Sequence, residues 1–178
     1  MTRDNRRANT KKAIHNAMVA LLKEESFDDI TTIQLAKQAG ISRSSFYTHY
    51  RDKYEMIDSY QQALFNKLEY IFDKHENNKG YAFLEIFEFL KRERLLSALI
   101  STNGTREIQS YIINKVKILI NTDLQDKFGR ENLTPIEKEY SSTYLAYAFF
   151  GLCQSWVAKG KKESPQQMTD LVLKILPI

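Results

Sequence analysis

The sequence predicts an all-α fold of about nine helices, arranged as an N-terminal three-helix helix-turn-helix domain and a larger C-terminal helical domain. Apolar residues recur at spacings of three and four nearly throughout, and no period-2 apolar run long enough for a sheet stands out. Only 6 Gly and 3 Pro interrupt the 178 residues, and they fall where helices should start or stop. A hydrophobic content of 43% is enough to build a core for one large domain or two smaller ones. The longest apolar stretches are broken by charge well short of the roughly 20 residues a membrane span needs, and the N-terminus is charged instead of carrying a signal-peptide core. Cys153 is the single cysteine, so an internal disulfide framework is excluded and a cytoplasmic protein is expected.

In chain order, residues 1 to 9 read as a disordered basic arm with Arg3, Arg6 and Arg7. Ile14, Ala17, Met18, Leu21 and Leu22 then mark an amphipathic helix over 10–24, and Phe27 and Ile30 continue its core through the exit loop. Residues 31 to 53 form the centre of the chain. Thr31 can cap a short helix with Gln34 reaching back, and Ile33, Leu35, Ala36 and Ala39 give that helix an apolar side. Gly40 supplies the left-handed turn, Ile41 plugs the angle, and Ser42 caps a second helix. In that helix Phe46 and Tyr50 lie four residues apart as anchors, while Arg43, Ser44, Tyr47 and Thr48 point elsewhere and can read DNA.

Asp52 and Glu55 predict the start of a long linking helix over 52–75, striped by Ile57, Tyr60, Leu64, Leu68, Ile71 and Phe72. The polar loop from His75 to Gly80 follows. Phe83, Leu84, Ile86, Phe87 and Leu90 predict a helix over 81–92, with a further helical stretch through Leu95, Leu96, Leu99 and Ile100 and a loop at Ser101 to Gly104. A helix over 105–128, closed by Gly129, is marked by Ile108, Tyr111, Ile112, Val116, Leu119, Ile120, Leu124 and Phe128. Thr134-Pro135-Ile136-Glu137 and Ser164-Pro165-Gln166-Gln167 are paired cap, proline and reach-back signals for two last helices over 135–159 and 165–176.

Those two helices are apolar around most of their girth. The first has Tyr140, Tyr144, Ala148, Gly151, Leu152 and Ser155 on one broad side and Phe149, Phe150, Trp156 and Tyr147 around the rest; the second has Met168, Leu171, Val172, Ile175 and Leu176. A wide internal core is one explanation. A pair of helices meeting its own copy about a two-fold axis is the other, and it is the expected one, because small residues permit close approach.

The net charge of +4 is unevenly placed. Residues 1 to 53 carry 10 Lys and Arg against 6 Asp and Glu, whereas residues 54 to 178 carry 16 of each sign. A basic end beside a neutral body suits a module that meets phosphate, although a solvated basic tail would look the same. Domain organisation follows as 1–53 for DNA binding and 54–178 for effector binding and dimerisation.

The stretch from Thr10 to Phe65 closely resembles the DNA-binding domain of the TetR family of bacterial transcriptional regulators. Phe27, Thr31-Thr32-Ile33, Ala36, Ala39-Gly40-Ile41-Ser42, Phe46-Tyr47, Tyr50 and Lys53 carry the likeness. It covers about the first third; beyond it the match is one of architecture, with a body that most resembles a short subgroup including regulators of dihydroxyacetone metabolism. The resemblance implies that Ser42, Arg43 and Ser44 touch bases and adjacent phosphates, that Tyr47 packs on the sugar-phosphate backbone, and that His49, Lys53 and Thr32 meet the backbone. Tyr50 departs from the family's usual phenylalanine. With Thr48, these make the candidate DNA-contacting set, and their chemistry is suitable, since hydroxyls and helix N-termini suit phosphate and Arg reads guanine.

The implied mechanism is a homodimer, joined through helices over 135–159 and 165–176, on a near-palindromic duplex. An effector in the body shifts it off DNA, which predicts a repressor. Candidate pocket walls are Phe83, Phe87, Tyr111, Tyr144, Tyr147 and Trp156, all of them residue types equally at home in a core. No cofactor is expected. His15, His49 and His75 are widely separated, no ligand-spaced cluster or Gly-rich phosphate loop occurs, and an enzyme is not expected. Cys153 reads as a buried small hydrophobe. Two alternatives stand beside the repressor: an activator of the same fold switched by a protein partner, and a helical interaction protein that does not bind DNA.

Overall fold

A computed structural model describes residues 3–75, 78–124 and 133–175. Among these the chain is all-helical: α1 (Arg3–Leu21), α2 (Thr32–Gln38), α3 (Arg43–Tyr47), α4 (Lys53–Lys74), α5 (Lys79–Arg92), α6 (Arg94–Ile100), α7 (Arg106–Leu124), α8 (Pro135–Ala158) and α9 (Pro165–Ile175). The expected end of the seventh helix at Phe128 and Gly129, the last residue of the ninth at Leu176, and Met1, Thr2, Glu76 and Asn77 lie outside the described residues.

The predicted caps form. Thr31 accepts from the Gln34 amide while the Gln34 side chain takes the Thr31 amide at 2.7 Å. Thr134 with Glu137, and Ser164 with Gln167, close in the same way. Asp52 Oδ1 accepts the Glu55 amide at 2.8 Å. Each satisfies amides that the first turn of a helix leaves without partners. Gly40 takes φ +67°, the left-handed conformation that ends α2.

Two compact units are present, and the chain passes from one to the other within α4. The first contains residues 1–67 and 94–105, the second residues 68–93 and 106–178. In the first unit α1 packs on α2 and α6, and α2 packs on α3. Its core is Ile14, Met18, Ile30, Leu35, Phe46, Met56, Leu96 and Leu99, all nearly inaccessible to solvent. The loop after α6 belongs here too: the Phe27 amide donates to the Asn103 carbonyl at 2.8 Å, and Asn103 Nδ2 donates to the Leu22 carbonyl at 3.0 Å. In the second unit α7 packs on α8 and α5 on α9. Phe83, Phe87, Phe149, Phe150, Cys153 and Trp156 fill its centre.

Three expectations are corrected. The basic arm is helical from Arg3, where Asp4 in the first turn complements the positive helix end and Thr10 Oγ1 donates back to the Arg6 carbonyl. Ile33 is 58% exposed instead of lining the core of α2; Leu35 and Ala36 alone are buried there. The second helix of the motif is also only five residues long. His49 and Tyr50 amides then fold back on the Phe46 carbonyl, and this turn keeps Phe46 and Tyr50 both inside.

Candidate nucleic-acid interface

The outward side of the α2–turn–α3 motif is built by short-range chemistry. Ser42 caps α3 by accepting the Ser45 amide at 3.0 Å, and its hydroxyl also lies 3.0 Å from that of Ser44. Phe46 anchors the helix from beneath, so Ser42, Arg43, Ser44, Tyr47 and Thr48 are all left exposed. Arg43 is not free to wander. Its Nε and Nη2 each donate to the Tyr47 hydroxyl at 3.3 Å, and the guanidinium lies 5.5 Å from the ring centroid. One edge of the guanidinium fork is thereby engaged and the other remains for a base edge, where a planar donor pair matches guanine. Thr48 Oγ1 donates to the Ser45 carbonyl at 2.7 Å, so its hydroxyl offers only lone pairs outward. Thr32, at the start of α2, is half-buried.

His49 follows the α3 cap and is half-buried, with Nδ1 enclosed and without a hydrogen-bond partner. Burial, then Arg7 and Lys11, hold its pKa below the ordinary 6.5. Those two cations come from α1, and Lys11 Nζ sits 5.4 Å from the Tyr50 ring centroid. Arg7 is expected only as part of the basic arm, and Lys11 is not among the expected site residues. Their signal was the continuation of the Ile14 and Met18 stripe backwards at helical spacing, hidden because both positions are charged.

Lys53 requires a correction. It was expected to grip a phosphate, but it is buried, and its ammonium donates to the carbonyls of Phe27, Asp28 and Ile30, each at 2.7 Å. Three donors are all an ammonium has. The Phe27 and Tyr54 rings flank it at 4.9 and 5.1 Å. Burial lowers its pKa against the opposing pull of Asp28, Asp29 and Glu25. Lys53 therefore fastens the start of α4 to the segment leading into α2.

The six expected pocket walls fall in different settings among the described residues. Phe83, Phe87 and Trp156 are core residues: Phe149 joins Phe83 and Phe87 by ring contacts of 4.9 and 5.7 Å, and Trp156 meets Phe87 at 5.4 Å. Tyr144 and Tyr147 face outward, at 73% and 59% exposure. Tyr111 is half-buried beside Glu69, and burial followed by the Glu69 carboxylate pushes its pKa up to about 12. The reason is that α8 is apolar on two sides, and residue type alone does not say which side faces in. The second unit does hold a cavity of about 270 Å³, lined by Lys74, His75, Tyr81, Leu84, Glu85 and Glu88. His75 Nε2 lies 2.6 Å from the Glu85 carboxylate there, and the imidazole stacks on Tyr81 at 6.0 Å. Among the described residues no cluster of His, Cys, Asp and Glu could hold a metal, and no helix is long and apolar enough to cross a membrane.

Comparison with known proteins covers most of the chain. Residues 14–60 match the family described as "Bacterial regulatory proteins, tetR family", and residues 77–177 match "Transcriptional regulator C-terminal region". The chain is 23% identical over 171 residues to the uncharacterized HTH-type transcriptional regulator YxbF of Bacillus subtilis, covering 92% of this chain but 43% of that protein. It thus spans less than half the length of that relative. It is 27% identical over 140 residues to the biofilm operon icaADBC negative transcriptional regulator IcaR of Staphylococcus epidermidis, covering 76% of this chain and 71% of that one. The solved structure of the fatty acid degradation regulator FadR from Bacillus halodurans has the same fold, with a TM-score of 0.69, 14% identity and 94% of each chain aligned.

Proposed function

We propose, for a chain that belongs to the TetR family of bacterial regulatory proteins and is a DNA-binding transcriptional regulator, that it acts as a homodimeric repressor released from its operator by a small effector. The family's members are not enzymes, and neither is this chain. The proposed division of labour assigns residues 1–53 to DNA and residues 54–178 to effector and partner, with cytoplasmic DNA as the target. Thr32, Ser42, Arg43, Ser44, Tyr47, Thr48 and His49 are its proposed DNA contacts.

The observation that carries the dimer is the bare outer side of α8 and α9. Ile136, Tyr140, Tyr144 and Tyr147 are each more than half exposed, as is Ile175 on α9. Ala148, Gly151 and Ser155 continue the α8 side, and nothing lies within 4 Å of where a Cβ on Gly151 would stand. An apolar stripe with a small-residue centre fits a copy of itself across a two-fold axis. Two α3 helices would then enter successive major grooves, roughly 34 Å apart.

For the effector, the cavity beside Lys74 and His75 supports a site at the far end of α4, the helix that runs on from the DNA-reading motif. It is an open cleft of about 270 Å³, just below the usual size of drug-sized ligand sites, so the proposed occupant is small. Moving the population from 1:99 to 99:1 requires about 5.5 kcal/mol of differential affinity. Binding of the purified protein to a random duplex pool tests the reading. Enrichment of a near-palindrome with half-site centres about one helical turn apart is the expected result. An enriched single half-site, bound by a monomer in sedimentation, would remove the two-fold mechanism.

A further inference from the structure

The cleft at the end of α4 is walled unevenly by charge. Tyr81, Leu84, Glu85 and Glu88 recur at spacings of three and four on α5, so they share the side of that helix opposite Phe83, Ile86 and Leu90, which are buried in the core. Lys74, the last residue of α4, and His75 just beyond it complete the wall. Both reach Glu85 Oε2, Lys74 Nζ at 3.3 Å and His75 Nε2 at 2.6 Å, and Oε1 is that carboxylate's other acceptor. The Tyr81 ring stacks on the His75 imidazole yet is 59% exposed, so most of its surface is available to a ligand.

Two carboxylates thus stand against one lysine ammonium along the wall. Burial would raise the Glu85 carboxyl, but hydrogen bonds from His75 and Lys74 hold it below its ordinary value, so it is charged at neutral pH. An anionic ligand would have to approach Lys74 where that ammonium already lies on a carboxylate, with Glu88 one turn further along α5. A cation meets no such conflict. It can take Oε1, or the place of Lys74, whose side chain is 47% exposed and swings into water at little cost. The helix ends do not decide the sign, because the negative end of α4 and the positive end of α5 both border the cleft. An aromatic ring and a leucine beside a carboxylate pair suit an ammonium that carries an apolar group.

We propose that this cleft takes a small organic monocation, a primary ammonium carrying a flat apolar group, with the ammonium on Glu85 and Glu88 and the apolar group against Tyr81 and Leu84. The inference rests on the proposed effector site and names the chemical class of its occupant. The ligand's ammonium displaces that of Lys74, so the ion pair joining the end of α4 to α5 is exchanged for one to the ligand. Entry of the ligand therefore acts on the far end of the helix that follows the DNA-reading motif in the chain.

Calorimetric titration of the full chain with phenethylamine, and with its neutral and acidic counterparts phenethyl alcohol and hydrocinnamate, tests the class. The amine should bind about tenfold more tightly than the alcohol, and the acid should not bind. Glu85→Gln should weaken the amine by about tenfold, and Glu88→Gln, at an exposed position, by a few-fold. Lys74→Met should strengthen the amine, because it removes the competing ammonium; a wall built for anions would lose its ligand in the same variant. No binding of the amine at millimolar concentration, tighter binding of the acid, or equal amine affinity in wild type and in Glu85→Gln/Glu88→Gln of matching helical content would overturn the proposal. Repeating the amine titration on the complex with the duplex that wild type selects separates the two readings. Charge-dependent binding with no loss of DNA affinity upholds the cation cleft and sinks release from the operator through it. Release by acidic or neutral molecules alone keeps the repressor and overturns the cation.

Discussion

The ammonium of Lys53 hydrogen-bonds to the carbonyl of Phe27, 26 positions earlier in the chain, at 2.7 Å, and closes the first unit across the helix-turn-helix motif. Its other hydrogens hold the Asp28 and Ile30 carbonyls at the same distance. Lys53→Met keeps the stem but leaves three carbonyl oxygens short of a donor, a loss of about 2 to 4 kcal/mol. Urea unfolding should show the unfolding free energy falling by that amount, with a correspondingly lower midpoint. Among molecules that remain folded, the salt slope of DNA binding should not change. A slope lower by about one unit would return Lys53 to a phosphate.

Arg43 sits against the Tyr47 hydroxyl at 3.3 Å before any base is present. Arg43→Ala should relax preference at one operator position by about 1 to 3 kcal/mol and leave the other positions alone. Tyr47→Phe keeps the ring and removes the hydroxyl, so the same position should relax by a smaller amount. Selection experiments with both variants read this directly. Unchanged preference in Arg43→Ala would remove the residue from base reading.

His15 is half-buried, with its ring edge-on to Tyr60 at 5.6 Å, and burial, then Lys11, hold its pKa below 6.5. The unfolded chain therefore takes up the proton first as pH falls. Stability is full above the unfolded value of 6.5, declines as pH drops through it, and levels once the folded pKa is passed. His49 acts with the same sign, since its pKa is lowered too. Urea midpoints at pH 7.5 and 5.5 should differ in wild type, less in His15→Leu and least in His15→Leu/His49→Gln. Equal pH dependence in all three would place the acid sensitivity on other groups.

The devices legible in the sequence are those that need only a few neighbouring residues. Thr31 with Gln34 and Thr134 with Glu137 each span one turn, and Gly40 ends α2 by its own backbone freedom. What the sequence hid are pairings at long separation. Nothing near Lys53 announces that its charge will be spent on carbonyls more than twenty residues back, and nothing near Asn103 points to Leu22, 81 positions away. In α8 the difficulty is different. Tyr144 and Trp156 are both aromatic, yet one is 73% exposed and the other 1%, because a helix apolar on two sides has no single direction to bury. Arg7 and Lys11 lie in the second and third turns of α1, and their charge at positions that continue the Ile14 and Met18 stripe hid their approach to His49.

Gly104 is a close approach and not a conformational need. A Cβ there would lie 1.8 Å from the Leu99 carbonyl oxygen and 2.3 Å from its carbon, both backbone atoms that cannot swing aside. Gly104→Ala must displace either α6 or the loop that holds Leu22 and Phe27, so it should destabilise the first unit by about 1 to 3 kcal/mol or more. DNA affinity should fall in proportion to the folded fraction, although position 104 is far along the chain from α3. A variant as stable as wild type would mean that this turn rearranges at no cost.

Gly151 gives the opposite test, because a Cβ there meets nothing within 4 Å in the single chain. It lies in the interior of α8, where Ala is favoured over Gly by up to about 1 kcal/mol, so Gly151→Ala should stabilise an isolated protomer. If α8 packs on its copy at close range, the same methyl intrudes between backbones that the glycine lets approach. Sedimentation equilibrium of Gly151→Ala should therefore show a weaker dimer at equal or greater protomer stability, with operator affinity falling alongside dimerisation. Tyr144→Glu, a charge placed on the same stripe, should give a monomer. A Gly151→Ala dimer as tight as wild type would move the two-fold contact off the glycine, and a Tyr144→Glu dimer as tight would move it off the outer side of α8 altogether.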